Sequence, residues 1–357
     1  MTIIIAEAGV NHNGDKELAL SLVHAAVKAG ADIIKFQTFR AEELTTQHTQ
    51  QADYQIKNSN LDESQLAMLK KLELSDKAFL EIKLACDDLG IGFMSTAFDS
   101  PSLNFLVKNI GVETLKVPSG EITNAPLILE HAITGKDIIL STGMSNIDEI
   151  RNALSVIAFG YASSSGELVS DQSFRKFFKS KAAQESLKNR VTLLHCTSEY
   201  PAPFEDLNLN AMHTLEEEFN LQIGYSDHSL GIEVPIAAVA MGAKIIEKHF
   251  TLDKAMEGPD HRASIEPHEL ERMIKSIRNV DLSLGSPEKK IQTSELKNIS
   301  LVRKSIVAID AISPGEVLSK ANIGIKRPGT GVSPFKYWNF LGKKSKNAYQ
   351  AGDLIDE

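Results

Sequence analysis

Eight short apolar runs of strand length, separated by segments with helical periodicity, constrain this chain more than any other feature of its 357 residues. The runs fall at 3–8, 32–38, 91–96, 113–117, 137–141, 191–196, 222–225 and 244–249. Between them, apolar residues recur at helical spacing over Lys16 to Ala29, Asp76 to Leu89, Pro101 to Lys108, Ile147 to Ala158, Gly231 to Met241 and Pro267 to Leu284, with shorter patterns near 126–134 and 208–219. Ser100-Pro101 has the polar cap and first-turn proline of a helix start, and Asn146 with Glu149 resembles a capping box. Parallel strands need crossover helices, and eight βα units close most economically into an α/β (β/α)8 barrel.

Polar residues stand where these runs end. Glu7, Lys35 and Gln37, Ser95 and Thr96, Lys116, His195, Ser226 to His228 and His249 each follow an apolar stretch. Ionisable groups are costly to bury, so their recurrence at successive strand ends predicts one site on the C-terminal face of the barrel. Lys35 and Gln37 are two apart and share a strand face, as do Glu247 and His249. Lys35 and Lys116, joined by Ser119, Thr96 and Ser226, read as a cradle for a phosphorylated or doubly anionic substrate. The competing reading of each lysine is an internal salt bridge with Glu7 or Glu121. His228 and His249 end neighbouring strands, and two imidazoles beside a carboxylate suit a borderline divalent ion that polarises a carbonyl. His195 reads equally as a satisfied core residue. Asp227 reads as a cap for the following helix, and Asp260, in the loop after the eighth strand, as a contact for substrate hydroxyls.

Segments that follow strands belong to the catalytic face. Arg40 to Leu74 follows strand two, and its Tyr54, Gln55 and Lys57 form either a lid or substrate wall or part of a plain helical insertion. Gly160 to Arg190 precedes strand six and is expected far from the chemistry. The expected domains are a barrel at 1–285, a polar linker at 286–299 and a compact, turn-rich module at 300–357 with short alternating segments at Ser305 to Ile309 and Gly324 to Lys326.

Charge and composition narrow the function. The net charge of −9 argues against nucleic acid. From Ser300 onward nine Lys and Arg face five Asp and Glu, which leaves −13 on the rest, so an anionic ligand requires positive groups concentrated at the site. Cys86 and Cys196 have no metal-type spacing and are expected as reduced, buried thiols of a cytoplasmic protein. The start has no basic leader, and no stretch approaches the roughly 20 apolar residues that cross a bilayer. Walker, Gly-x-Gly-x-x-Gly, Gly-x-Ser-x-Gly and Cys-x-x-Cys patterns are missing, which removes support from nucleotide, hydride and serine-hydrolase chemistry.

The motifs Glu7-Ala8-Gly9-Val10-Asn11-His12-Asn13-Gly14, Lys35-Phe36-Gln37-Thr38, Pro118-Ser119-Gly120-Glu121, Ser141-Thr142-Gly143-Met144, His195-Cys196-Thr197-Ser198-Glu199-Tyr200-Pro201, Ser226-Asp227-His228 and Lys326-Arg327-Pro328-Gly329 together resemble the bacterial sialic acid synthase family, which contains the N-acetylneuraminate, legionaminate and pseudaminate synthases. The resemblance implies a TIM barrel followed by an antifreeze-like (SAF) domain in a domain-swapped homodimer. It implies condensation of phosphoenolpyruvate with an open-chain N-acetylmannosamine-type sugar to a nine-carbon 2-keto acid and phosphate. Carried over by motif, Lys35, Thr96, Lys116, Ser119 and Ser226 contact phosphoenolpyruvate. His228 and His249 hold Mn2+, with Mg2+ or Co2+ as substitutes. Glu7 and Glu121 flank the reacting centre, Gln37, Tyr200 and Asp260 position the sugar, and Arg327 of the partner subunit reaches its acetamido group. Ser198 and Thr330 depart from the sialic acid branch, where Asn is common at both positions. The first departure bears on one phosphate-side contact and the second on a turn. Glu7 to Gly14, Tyr200-Pro201-Ala202-Pro203 and Gly224-Tyr225-Ser226 look closer to legionaminate synthases. Two other readings compete: a metal-dependent barrel aldolase or isomerase that uses no phosphoenolpyruvate, and a C-terminal module that binds ice or polysaccharide.

Overall fold

The computed structural model describes residues 1–52, 55–56, 63–164 and 166–357. Two compact units emerge, Met1–Gly285 and Ser286–Glu357. In the first, strands β1 (Ile3–Gly9), β2 (Ile33–Thr38), β3 (Gly92–Ala97), β4 (Thr114–Val117), β5 (Asp137–Ser141), β6 (Val191–His195), β7 (Gln222–Asp227) and β8 (Ile245–His249) form a closed parallel barrel. β1 pairs with both β2 and β8, which closes the ring without a free edge.

Local chemistry delimits the elements. Asp15 caps the helix Lys16–Ala29 by accepting from Glu17 N and Leu18 N, a contact worth about 1 kcal/mol, and Gly30 ends it in the left-handed region at φ 85°. Asn146 and Glu149 form the expected capping box. The helix at Ser100–Phe105 is capped by Asp99 instead of Ser100, because the longer carboxylate reaches both Ser102 N and Ser102 Oγ. Segment 160–190 contains the helices Asp171–Phe178 and Lys181–Arg190 ahead of β6. No described helix is long and apolar enough to cross a membrane.

Period-two alternation sorts the strands into layers. One set of positions, including Ile4, Ile34, Leu115, Leu193 and Ile246, packs outward against the helices. The other set points inward. Ile5, Met94, Ile139, Leu194 and Ile245 plug the barrel with an apolar layer. Two residues on, the same face carries Glu7, Thr96, Ser141, Cys196 and Glu247, so the interior turns polar within one step along each strand.

In the second unit, β9 (Ser305–Ala308) and β10 (Ile323–Lys326) pair antiparallel, and Ile306, Ile312, Leu318, Ile323, Tyr349 and Ile355 build a small core. The polar stretch expected as a linker at 286–299 runs into a helix at Thr293–Val302, started by a Gln292 and Glu295 capping box.

Candidate active site

The polar layer opens into a cavity of about 720 Å³ on the C-terminal face of the barrel. Twelve of the thirteen residues given roles by motif line it: Glu7, Lys35, Gln37, Thr96, Lys116, Ser119, Glu121, Tyr200, Ser226, His228, His249 and Asp260. The barrel register levels them, since Glu7 lies beside both Lys35 and His249, Thr96 beside both Gln37 and Lys116, and Ser226 beside Glu247. Arg327 belongs to the second unit, where its Nε donates to Val302 O at 3.1 Å.

The lysines are buried and partly compensated. Lys35 Nζ lies 2.6 Å from Glu7 and 3.5 Å from Glu247, and donates to Thr96 Oγ1 at 3.2 Å. Lys116 Nζ donates to Ser141 Oγ at 2.7 Å and stands 3.8 Å from Glu247. The salt-bridge reading therefore holds for Lys35 with Glu7, while Glu121 takes no lysine among the described residues and accepts from Asn124 Nδ2 at 2.7 Å. Burial opposes the charge on Glu247, but Lys116 and Lys35 outweigh it and hold its pKa down to about 2. Burial dominates at Glu7 and pushes it up to about 7. Burial also works to discharge Lys35, yet Glu247 and Glu7 leave its pKa raised. At Lys116 burial wins and the pKa is lowered. Glu7 and Glu247 thus face two buried lysines, and an anion entering the cavity would meet both ammonium groups at its base.

Beside the lysines is a small concave surface. Gly143 N donates to Ser119 Oγ at 2.9 Å, and a Cβ on Gly143 would fall 2.3 Å from Ser198 Oγ, 2.8 Å from Ser119 Oγ and 3.0 Å from Cys196 Sγ. Glycine here keeps hydroxyls and a backbone N–H grouped beside Lys116.

The imidazoles line the same cavity from the ends of β7 and β8. The His228 and His249 ring centroids are 5.7 Å apart. His228 Nδ1 donates to Thr197 O at 2.6 Å, which leaves Nε2 with its lone pair, near Tyr200 OH at 3.2 Å. His249 Nδ1 is buried without a hydrogen bond, 3.9 Å from Asp260. Burial lowers both imidazole pKa values, and at His249 the neighbouring His228 and Lys35 lower it further. Both rings are therefore neutral at physiological pH, and burial raises Asp260 to about 6. An orphaned nitrogen on one ring, with a second neutral imidazole 5.7 Å away between ring centroids, fits a divalent cation whose remaining ligands come from substrate and water. Among the described residues no cluster of three or more His, Cys, Asp or Glu supplies a complete protein cage.

Several expectations resolve on this geometry. His195 donates from Nε2 to Leu207 O at 2.8 Å and takes the core role. Asp227 does not cap the next helix, which starts at Glu233 behind Ile232. It accepts from Ser229 N and Oγ and pairs with Lys248, both side chains fully buried. The 40–74 insertion is helical at Ala41–Leu44 and Gln65–Leu72 and also walls the cavity, through Leu44, Gln55, Gln65, Met68, Leu69 and Leu72. Tyr54 and Lys57 lie outside the described residues. No described residue of 160–190 lines the cavity. Sequence reasoning gave no role to Glu247 as the shared counter-ion or to Ser141 as the partner of Lys116. The two-residue spacing from Glu247 to His249 was the available signal for the first.

Residues 22–289 match the NeuB family, and residues 303–357 match the SAF domain. The chain is 46% identical over 356 residues to the N,N'-diacetyllegionaminic acid synthase of Campylobacter jejuni, covering 100% of this chain and 99% of that one. It is 44% identical to the Legionella pneumophila enzyme of the same name, covering 99% of this chain and 92% of that one. Among solved structures, the N-acetylneuraminic acid synthetase of Leptospira borgpetersenii superposes with a TM-score of 0.67 at 38% identity, covering 84% of this chain and 90% of that one. On these matches to its barrel and its C-terminal module, this chain belongs to the NeuB family and carries a SAF domain at residues 303–357.

Proposed function

We propose that this protein is a phosphoenolpyruvate-dependent nonulosonic acid synthase that acts on 2,4-diacetamido-2,4,6-trideoxymannose and makes N,N'-diacetyllegionaminate. The observation that carries this reading is the pairing of Lys35 and Lys116, buried beside one firmly ionised glutamate, with two neutral imidazoles lining the same cavity. The two relatives at 44% and 46% identity favour the legionaminate branch. The Leptospira structure favours N-acetylmannosamine as a second acceptor to test.

Lys35, Thr96, Lys116, Ser119 and Ser226 bind phosphoenolpyruvate and neutralise its phosphate and carboxylate. Gln37, Tyr200 and Asp260 orient the open-chain sugar so that its aldehyde carbon faces C3 of the enol. A divalent ion, Mn2+ in preference to Mg2+ or Co2+, would be held by His228 and His249 and would polarise the aldehyde when bound. As the C3–C1 bond forms, positive charge develops at C2, where Glu7 or Glu121 faces it, and the former aldehyde oxygen becomes a hydroxyl with a proton that the water added to C2 makes good. Water then adds to C2. Glu7, with its pKa near 7, can take a proton from that water, and the C2–O bond to phosphate breaks as the 2-keto group forms. The reading places the working enzyme in the cytoplasm as a domain-swapped homodimer in which Arg327 of the partner subunit contacts the acetamido group.

The test is sugar-dependent phosphate release from phosphoenolpyruvate with Mn2+, comparing the diacetamido sugar with N-acetylmannosamine and an EDTA control. Faster, EDTA-sensitive release with the first supports the proposal. Faster release with the second moves the protein to the N-acetylneuraminate branch. No release with either, or with the pseudaminate precursor, returns the barrel to the aldolase reading.

A further inference from the structure

We propose that the turn Asn11–Gly14, after β1, braces the loop that carries Asp260 into the active site, with Asn13 as its positioning residue; the kinetic part of this inference rests on reading Asp260 as an acceptor contact. Among the described residues, the loop between β8 and the helix Pro267–Leu284 has one short helical turn, His261–Ala263, and a single bridge, Phe250 with Ile265, that closes its base. Such a loop holds a buried carboxylate in place only if its backbone is tied down elsewhere.

The ties run to the β1 turn. Asn11 Nδ2 donates to Phe250 O and to Ser264 Oγ, both at 2.9 Å, and Ser264 Oγ donates on to Asp260 O at 2.7 Å. Asn13 Nδ2 donates to Glu257 O at 2.8 Å, and Asn13 Oδ1 accepts from His261 Nε2 at 3.2 Å. His261 is completed from below by Thr251 Oγ1, which donates to Nδ1 at 2.6 Å. Both ends and the middle of the loop are thereby anchored, and the residues on either side of the Gly258 to Asp260 stretch are held by one asparagine.

The turn itself has little freedom. Gly14 N donates to His12 Nδ1 at 3.0 Å, and a Cβ on Gly14 would fall 2.2 Å from Lys71 O of the insertion. A Cβ on Gly258 would meet Asn13 Oδ1 at 2.8 Å. The turn is thus wedged between two rims of the cavity.

Asn13→Gly isolates the side chain, because φ is 51° at this position and glycine adopts that conformation without strain. Two measurements decide the matter. Hydrogen exchange of the protein without substrates should quicken in peptides spanning 252–263 and stay unchanged in the strands. The KM for the acceptor sugar should rise about fivefold, on the scale of one or two hydrogen bonds, while the KM for phosphoenolpyruvate stays within about twofold. Unchanged loop exchange overturns the brace, as does an equal rise in both KM values. Asp260→Asn serves as the reference. If it raises the acceptor KM and Asn13→Gly does not, the positioning role fails. If it leaves the acceptor KM unchanged, the sugar contact of Asp260 fails instead, and loop exchange alone then decides the brace.

Discussion

Replacing Lys248 by Met should destabilise the barrel by about 3 kcal/mol, near the lower end of the cost of leaving one partner of a buried ion pair uncompensated. Lys248 and Asp227 side chains are 1% and 0% exposed, and Lys248 Nζ donates both to Asp227 Oδ2 and, at 2.8 Å, to Ser229 O. Methionine fills the space of the stem but supplies no donor. The Asp227 carboxylate keeps its contacts from Ser229 N at 3.0 Å and Ser229 Oγ at 2.7 Å, which is why the lower part of the range applies. For a unit of this size that loss lowers Tm by about 6 °C, at roughly 2 °C per kcal/mol. Far-UV circular dichroism is the appropriate probe, since the single tryptophan, Trp338, lies in the other unit. Adding Asp227→Asn removes the stranded charge while keeping an acceptor for Ser229, so the double variant should recover at least half of the loss. A Tm within about 1 °C of the parent for Lys248→Met would refute the argument, as would a double variant no more stable than the single one.

Gly143→Ala should raise the KM for phosphoenolpyruvate about tenfold or more, the scale of one hydrogen bond to a charged group, because the new methyl group turns the Ser119 and Ser198 hydroxyls away; an unchanged KM would remove this surface from the anion site. His249→Ala should abolish EDTA-sensitive turnover and weaken Mn2+ binding, read by titration calorimetry, by more than the roughly 10- to 100-fold that loss of a supporting outer partner costs; retained binding would refute the assignment. Stability should fall as pH drops from 6.5 towards 4. Burial lowers His12 and His261 to about 4, so their contribution is complete above their unfolded value of 6.5 and is lost on acidification. His228 and His249 act in the same direction, whereas Asp260 and Glu7, raised to about 6 and about 7, contribute stability that is lost as pH rises. His131 and His195, also lowered by burial, add to the loss on acidification, so six histidines against two carboxylates leave a net loss as pH falls, and a flat urea midpoint between pH 7 and 5 would contradict that sign.

The eight strands were legible in the sequence because alternation is local. A period of two decides which face a side chain leaves, and the apolar layer from Ile5 to Ile245 with a polar layer two residues on follows from that rule alone. The same rule placed Lys35 with Gln37 and Glu247 with His249. Ends were less legible where competing caps stand side by side, as with Asp99 and Ser100, and where a polar stretch at 293–302 forms a helix through its own capping box.

Partner choice was a tertiary decision. Which carboxylate meets which lysine depends on strand register and on the curvature that brings β8 opposite β4, so Glu247 reaches both Lys35 and Lys116 across a barrel no local pattern describes. Closure also set the protonation of the site: burial holds His228 and His249 neutral and raises Glu7 to about 7, whereas the same residues in an extended chain would titrate normally. The sequence by itself determined which groups arrive at the strand ends. The closed barrel decided who faces whom, and at what charge, because desolvation and pairing exist only once the ring is complete.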